Sequence, residues 1–177
     1  AMSRVSITIM KRYMKVPGDV AEMGVNHGSS SFKMVRVARK YDKRIWLFDS
    51  FRGMPHSSDP DDLKQYPEGR FSGNSVDKVM TLCGDYEKLF VVVGWLPGVL
   101  DSFTLPFCFI YLDVDHYEST LKTLKVVWPM IVSGGAILCD DYFPGRSILA
   151  TKAIDEFIAC VGMRTTRYSD QILLEKQ

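Results

Sequence analysis

The stretch FCFIYLDVDHYEST, residues 107–120, joins an unbroken apolar run to three polar side chains within four positions. The run Phe107–Leu112 predicts a buried β-strand. Asp113, Asp115 and His116 follow it directly. Two carboxylates this close repel each other unless solvent, a cation or a substrate satisfies them. Folding alone does not explain this group, so the stretch also indicates a functional site.

Strand-like and helix-like patterns alternate on both sides of this stretch, which is typical of an α/β protein. An amphipathic helix around Ile7–Met14 precedes strands that we predict at Asp19–Met23, Ile45–Phe48, Leu89–Val93, Phe107–Leu112 and Ala136–Cys139. Further helices are predicted at Ser30–Tyr41, Asn74–Leu82, Ser119–Ile131 and Ser147–Val161, with a closing hairpin at Arg164–Tyr168 and Gln171–Leu174.

The strands are nearly continuous apolar runs, which predicts a doubly wound, mostly parallel sheet with helices on both faces. In such sheets ligands bind beyond the carboxyl ends of the strands. The polar residues and glycines of interest all follow strands at that edge: Glu22, Gly24, Asp49, Asp113, Asp140 and Asp141.

Length and composition indicate one domain spanning residues 1–177. The chain is 46% hydrophobic and 24% charged, an ordinary globular composition, and its net charge of +1 makes nucleic acid a weak candidate partner. No apolar run approaches a membrane span, and Ala1 to Met10 lacks the apolar core of a signal peptide. Four cysteines without CxxC spacing favour reduced thiols over disulfides or a zinc site, and hence a cytoplasmic protein.

The segment EMGVNHGSSS, residues 22–31, is a strand–loop–helix junction. Gly24 and Gly28 would allow a ligand to approach the backbone, although a tight turn with Ser29 to Ser31 capping the helix explains them equally well. Asp49 stands about 25 residues further on, where nucleoside-binding enzymes place an acid on the ribose hydroxyls. A turn at the Asp49–Ser50 corner is the alternative.

The carboxylates at neighbouring strand ends predict a cation site. Asp113, Asp140 and Asp141 can converge because adjacent strands lie less than about 5 Å apart. Oxygen ligands favour Mg²⁺, with Mn²⁺ or Ca²⁺ as alternatives. Helix capping explains Asp113 or Asp115 singly, but not the group. His27 lies in the glycine-containing loop after the first strand and could line a ligand pocket. His56 lies in the long polar stretch after the second predicted strand.

A long polar stretch, Ser50 to Ser72, follows the second predicted strand and contains several proline and glycine breakers. A loop of this length in a compact domain is usually a functional lid or disordered. We expect a lid, approximately residues 50–72, that folds over the carboxyl edge of the sheet.

Five segments together resemble one family: GDVAEMGVNHGSSS (18–31), FDSFRGMP (48–55), VVVGWLPGVL (91–100), LDVDHYESTLKTL (112–124) and SGGAILCDDYFPG (133–145). In this order they resemble the macrocin O-methyltransferase (TylF-like) family of class I S-adenosylmethionine enzymes, over about Gly18 to Phe157. The loop GWLPGVLDSFTLP departs from the family pattern, and the chain is shorter at its N-terminus than many relatives. The resemblance implies a seven-stranded sheet with an antiparallel last strand.

The resemblance also implies roles for particular residues. Asp115 or His116 corresponds to the base, and Asp113, Asp140 and Asp141 correspond to the metal carboxylates. The cofactor would contact Glu22, Gly24, Gly28, Ser30, Asp49, Ser50, Gly94 and Trp95. The implied activity is divalent-metal-dependent methylation of a hydroxyl on a sugar or small polyol. The alternatives are a regulatory protein that binds the cofactor without turnover, or another acceptor class. The acceptor is expected to be a small molecule, and the sequence leaves open whether the chain forms a homo-oligomer.

Overall fold

The computed structural model describes residues 2–145 and 148–177. Seven strands form one sheet: β1 (Asp19–Met23), β2 (Ile45–Asp49), β3 (Leu89–Val93), β4 (Phe107–Leu112), β5 (Ile131–Cys139), β6 (Arg164–Tyr168) and β7 (Gln171–Glu175). Six α-helices accompany them: α1 (Arg4–Tyr13), α2 (Ser29–Lys40), α3 (Pro60–Gln65), α4 (Val76–Cys83), α5 (Tyr117–Val127) and α6 (Leu149–Val161).

The strand order is β3-β2-β1-β4-β5-β7-β6. β1 to β5 run parallel to one another, whereas β7 is antiparallel to β5 and β6 is antiparallel to β7. The doubly wound sheet, its seven strands and the C-terminal hairpin are therefore as predicted. The order reverses between β1 and β4, because the chain leaves β1 toward β2 and β3 and then returns to the other side.

Each face of the sheet buries its own apolar cluster. One face packs against α1, α2 and α4 through residues such as Met10, Met34 and Val79. The other packs against α5 and α6 through residues such as Leu124 and Phe157. β4 is buried at all six positions, which explains its unbroken apolar sequence.

The strand register aligns the carboxyl ends of the central strands. Met23 pairs with Phe48 on one side and Leu112 on the other, and Leu112 pairs with Cys139. The residues that follow these positions therefore emerge at one edge of the sheet.

One predicted helix extends too far. The helix predicted to reach Ile131 ends at Val127, a 3₁₀ turn covers Trp128–Met130, and Ile131 already belongs to β5. Pro129 accounts for this ending, because proline lacks the amide hydrogen that a continuing helix requires. Ser147, predicted to begin the last helix, lies outside the described residues.

Residues 50–72, which we call the lid, also differ from the prediction, because they contain the short helix α3. Its start has a local signal: the Asp59 side chain accepts a hydrogen bond from Asp61 N, and Pro60 occupies the first helical turn. Within the described residues, no helix is long and apolar enough to cross a bilayer.

Candidate active site

A cavity opens at the carboxyl edge of the sheet, between the loop after β1 and the lid. Seven of the eight predicted cofactor residues line it: Glu22, Gly24, Ser30, Asp49, Ser50, Gly94 and Trp95. The eighth, Gly28, lies behind that wall as the N-cap of α2, with φ 77°. Asn26 and His27 complete the loop side of the wall.

Gly24 lets the end of β1 approach the end of β4. Its φ is +92°, and a Cβ built there would lie 1.8 Å from the carbonyl oxygen of Asp113. Any other residue would have to push the two strand ends apart. The glycine therefore fixes how closely the cavity adjoins the acidic residues after β4.

Asp49 organises the backbone of the loop after β1. Its Oδ2 accepts hydrogen bonds from Val25 N at 2.7 Å and Asn26 N at 3.0 Å, and its Oδ1 accepts one from Phe51 N at 2.8 Å. The turn that we considered as an alternative role is thus present, while the carboxylate also lines the cavity. Its contact with a ribose remains a prediction.

Glu22 lines the cavity and is almost fully buried. Burial raises the pKa of its carboxyl to about 8, against an opposing hydrogen bond donated by the Ser31 hydroxyl. The predicted capping of α2 by Ser29 to Ser31 is wrong. The N-cap residue is Gly28, and within the described residues α2 has no capping hydrogen bond from a side chain at that position. Ser30 instead accepts a hydrogen bond from Met2 N at 2.8 Å. These serines join α2 to β1 and to the N-terminus.

The loop after β3 supplies the outer wall. Gly94 N donates to the carbonyl of Asp49 at 2.9 Å, which ties this loop to the end of β2. Trp95 is 44% exposed, and the guanidinium of Arg52 lies 5.7 Å from its ring centroid. An aromatic face is therefore available at the cavity mouth.

Three carboxylates meet beside the cavity: Asp113, Asp115 and Asp141 each offer an oxygen, and these oxygens lie within 4.8 Å of one another. Burial, followed by the charges of Asp140, Asp115 and Asp141, raises the pKa of Asp113 well above its ordinary value. Burial and the neighbouring Asp141 raise the pKa of Asp115 to about 7. An all-oxygen cluster that resists ionisation in this way fits a hard divalent cation, whose charge would offset the repulsion.

Asp140 lies next to this cluster but is held differently. Tyr111 OH donates to its Oδ2 at 2.7 Å, and Gln171 Nε2 donates to its Oδ1 at 2.7 Å. Burial alone would raise the pKa of Asp140, but the two donors outweigh it and the pKa lies below its ordinary value. Asp140 and Asp141 still line one small cavity together with Asp113 and Asp115.

The sequence did not indicate Tyr111 or Gln171 as part of the site. Tyr111 lies within the apolar run Phe107–Leu112, and that pattern predicts a core side chain rather than a hydrogen-bond donor. Gln171 stands 31 residues beyond Asp140, at the start of the hairpin strand β7, and no local pattern links the two. Ser6 of α1 donates in turn to Gln171 Oε1 at 2.7 Å, which extends this buried network across the molecule.

His116, one of the two predicted bases, is fully buried outside the cavity lining. Its Nε2 lies 2.8 Å from the carbonyl oxygen of Tyr66, and because a carbonyl only accepts, Nε2 must donate. Among the described residues its buried Nδ1 has no hydrogen-bond partner. Asp115, the other predicted base, does line the cavity.

The lid divides into ends that line the cavity and a middle that does not. Gly53, Met54, Pro55 and Phe71 belong to the lining. Hydrogen bonds of Met54 with Arg70 and Gly69 pin the two ends together at 2.8 and 3.0 Å. The middle, residues 57–66, packs instead on the start of α5. The lid is therefore a folded loop with two distinct attachments. His56, the third histidine, is exposed on it.

A family model confirms the resemblance that the sequence suggested. The model of macrocin-O-methyltransferase (TylF) matches residues 4–166 of the chain.

Curated relatives match much of the chain. The 8-demethyl-8-(2,3-dimethoxy-alpha-L-rhamnosyl)-tetracenomycin-C 4'-O-methyltransferase of Streptomyces olivaceus is 34% identical over 142 residues, which are 72% of this chain and 54% of that protein. Demethyldecarbamoylnovobiocin O-methyltransferase of Streptomyces niveus is 32% identical over 141 residues, 72% of this chain and 53% of that protein. The chain thus spans about half the length of these relatives.

The fold also matches a solved structure. The O-methyltransferase NovP superposes with a TM-score of 0.82 at 24% identity, over 97% of this chain and 79% of that chain. The likeness shows that the two share the class I methyltransferase fold.

Proposed function

Because the chain belongs to the macrocin O-methyltransferase (TylF) family, we propose that it transfers the methyl group of S-adenosylmethionine to a hydroxyl oxygen of a small molecule. The names of the curated relatives include a rhamnosyl substrate and a novobiocin precursor, which supports an acceptor that carries a sugar or a small polyol. The net charge of +1 supports a small molecule over nucleic acid.

One observation carries the proposal: the cavity and the acidic cluster share a wall. Asp113 and Asp115 line the cavity that contains the predicted cofactor residues, and both also face the small cavity with Asp140 and Asp141. A methyl donor in the first and a hydroxyl held at the second would meet at these two residues. Alignment is the main requirement, because a sulfonium methyl group is already activated.

The cofactor residues divide between binding and shaping. Asp49 would accept hydrogen bonds from the ribose hydroxyls while it keeps its backbone donors, because each carboxylate oxygen can accept more than one bond. Glu22 would support the loop after β1, and Gly24 would allow the end of β1 to lie close to the end of β4. Gly94 and Trp95 would cover the adenine. Gly28 would act indirectly, through the position of α2.

Asp113 and Asp141 are the residues best placed to hold a divalent cation, with Asp115 or Asp140 completing the set. A bound cation would lower the pKa of a coordinated hydroxyl and orient it. We propose Mg²⁺, because all the available ligands are oxygens.

The contacts favour Asp115 over His116 as the base. Asp115 faces the cavity, and a cation bound by the neighbouring carboxylates would keep the Asp115 side chain ionised, as a base must be. The Nε2 of His116 already donates to the lid, and its Nδ1 is buried. We therefore propose that His116 supports the turn while Asp115 accepts the proton.

We also propose a cytoplasmic protein, because reduced thiols suit that compartment. Cys83, Cys108 and Cys139 are buried as free cysteines.

Calorimetry with S-adenosylhomocysteine tests the cofactor part of the proposal. We expect binding to the unmodified protein and weaker binding to Asp49→Ala. Absence of binding to the unmodified protein would refute the proposed function.

Transfer of radiolabelled methyl from S-adenosylmethionine to a panel of glycosides and polyols, with and without EDTA, tests the chemistry. We expect transfer to at least one hydroxyl compound and loss of transfer in EDTA. Full activity in EDTA would contradict the proposed role of a divalent cation. Cofactor binding without transfer to any acceptor would favour the regulatory alternative.

A further inference from the structure

The N-terminus of α5 is capped by a residue from another segment. His116 occupies the N-cap position, but within the described part of the chain its side chain makes no capping hydrogen bond to the helix. Asp62, in the middle of the lid, accepts hydrogen bonds from Tyr117 N at 2.6 Å on Oδ1 and from Glu118 N at 3.1 Å on Oδ2. These are two of the amide groups that a helix start leaves without partners.

The Asp62 carboxylate is fully buried and well supplied with donors. Its exposure is 0%, and the Ser57 hydroxyl donates to Oδ2 at 2.7 Å. A negative charge beside a helix N-terminus is stabilised by the helix dipole as well as by these bonds. Asp62 therefore links the lid to α5 through a contact that α5 cannot replace from its own sequence.

The turn directly before α5 carries the proposed base in an unusual conformation. Asp115 has φ 60°, a left-handed value that residues other than glycine adopt rarely. His116 N donates to the carbonyl of Val114 at 2.7 Å across it, the hydrogen bond of a three-residue turn. Such a conformation persists only where the surroundings hold it in place.

The lid holds this turn, which we call the Asp115 turn (Val114–His116), at two points. Asp62 fixes the two amides that follow it, and the carbonyl of Tyr66 accepts the hydrogen bond from the His116 ring. Both contacts come from residues 57–66 of the lid. These two contacts therefore help to hold Asp115 in its left-handed conformation.

We propose that Asp62 is a positioning residue that holds the Asp115 turn in its reactive geometry, a role that rests on the proposed function. The same lid contributes its ends to the cofactor cavity and its middle to the Asp115 turn. The alternative is a cap that serves stability alone.

Asp59→Ala is a matched control for Asp62→Ala. Both residues are lid aspartates that cap a helix, but Asp59 caps α3 itself, through Asp61 N at 2.9 Å. In both variants hydrogen exchange is measured with residue resolution by NMR. We expect Asp62→Ala to speed exchange at least about tenfold at His116 as well as at Tyr117 and Glu118, and Asp59→Ala to leave all three within about twofold.

Unchanged exchange at His116 in Asp62→Ala would overturn the proposal, and so would an equal effect of Asp59→Ala. If Asp62→Ala does not fold, Asp62→Asn replaces it, because the amide oxygen still caps Tyr117 N while the Glu118 contact is lost. The same comparison then applies, with a smaller expected increase.

Kinetics separate positioning from stability. With S-adenosylmethionine and a glycoside acceptor from the panel, we expect Asp62→Ala to lower kcat by about 10- to 100-fold, with KM for the cofactor within about twofold. Asp62→Asn should recover part of kcat, and Asp59→Ala should change neither constant. An unchanged kcat in folded Asp62→Ala would overturn the proposal. If no acceptor is methylated, the proposed function fails, while the exchange experiment still decides whether the lid holds the turn.

Discussion

The acidic residues at the carboxyl edge of the sheet are held from two sides by regions of different character. On the sheet side, Asp140 and Glu22 follow or end strands and are bonded by partners in the packed core: Tyr111 and Gln171 for the first, and Ser31 for the second. On the lid side, the Asp115 turn is held by Asp62 and Tyr66, which belong to a loop at the surface.

This difference separates a permanent half of the site from a conditional half. The strand ends cannot move without breaking the sheet, so the sheet side is set when the chain folds. The lid side depends on a loop whose docking can change without unfolding the core. Under the proposed function, the carboxylates proposed to bind the cation would be in place in either position of the lid, whereas the proposed base Asp115 would be in place only when the lid is docked.

The largest expected effect concerns Glu22, on the sheet side. Its folded pKa of about 8 is raised above the ordinary 4.5, so it lowers the free energy of unfolding progressively as pH rises from about 4.5 to 8. Each pKa unit is worth about 1.4 kcal/mol, so Glu22→Gln should gain roughly 3–5 kcal/mol relative to the unmodified protein across this range. Urea denaturation from pH 5 to 9 measures it. A difference that does not grow with pH would contradict the buried acid.

Gln171→Met tests the other sheet-side anchor. The change removes the amide that donates to Asp140 and leaves a buried carboxylate short of one donor, which should cost about 3 kcal/mol of unfolding free energy. Cation affinity, measured by calorimetry with Mg²⁺, should fall about 10- to 100-fold.

Gln65→Met is the matched control for Gln171→Met, because it makes the same change on the lid. The bond that Leu149 N donates to Gln65 is long, at 3.4 Å, so we expect a cost below about 1 kcal/mol. Equal costs for the two variants would erase the distinction between the two sides.

Ligand binding should distinguish the two parts of the lid itself. With saturating S-adenosylhomocysteine, amides of residues 51–55 and 69–72 should gain about tenfold protection from exchange, roughly 1.4 kcal/mol, because these ends line the cavity. Residues 57–66 should change little, since they are already docked on α5. Equal protection along the whole lid would instead support a lid that closes as one unit.

The smallest expected effect is that of Glu118→Gln. A hydrogen bond from Lys122, followed by those from Ser58 and Ser57, lowers the pKa of Glu118 to about 2. The stability it contributes is therefore present above about pH 4.5 and lost as pH falls toward 2. At the surface we expect below about 1 kcal/mol at pH 7 and no difference near pH 2, measured by urea denaturation. A larger loss would place this contact among the main anchors of the lid.

The sequence was most informative where one segment carries its own signal. β1, β3 and β4 have the predicted bounds, because a short run rich in apolar residues and closed by proline, glycine or charge identifies a strand. Two local signals were missed. Pro129 indicates the helix end at Val127, and the pair Asp59–Pro60 indicates the start of the short helix α3.

Sequence alone determined the strands, their parallel arrangement and the set of polar residues at one edge, since hydrophobic runs and strand ends are local properties of the chain. Only the tertiary structure decided the partners of those residues. It placed Gln171 on Asp140, Asp62 on α5 and Tyr66 on His116, pairs that lie 31, 55 and 50 residues apart. The physical reason is that a hydrogen bond between distant segments depends on how helices and loops pack on the sheet. No pattern within either segment specifies which other segment it will contact.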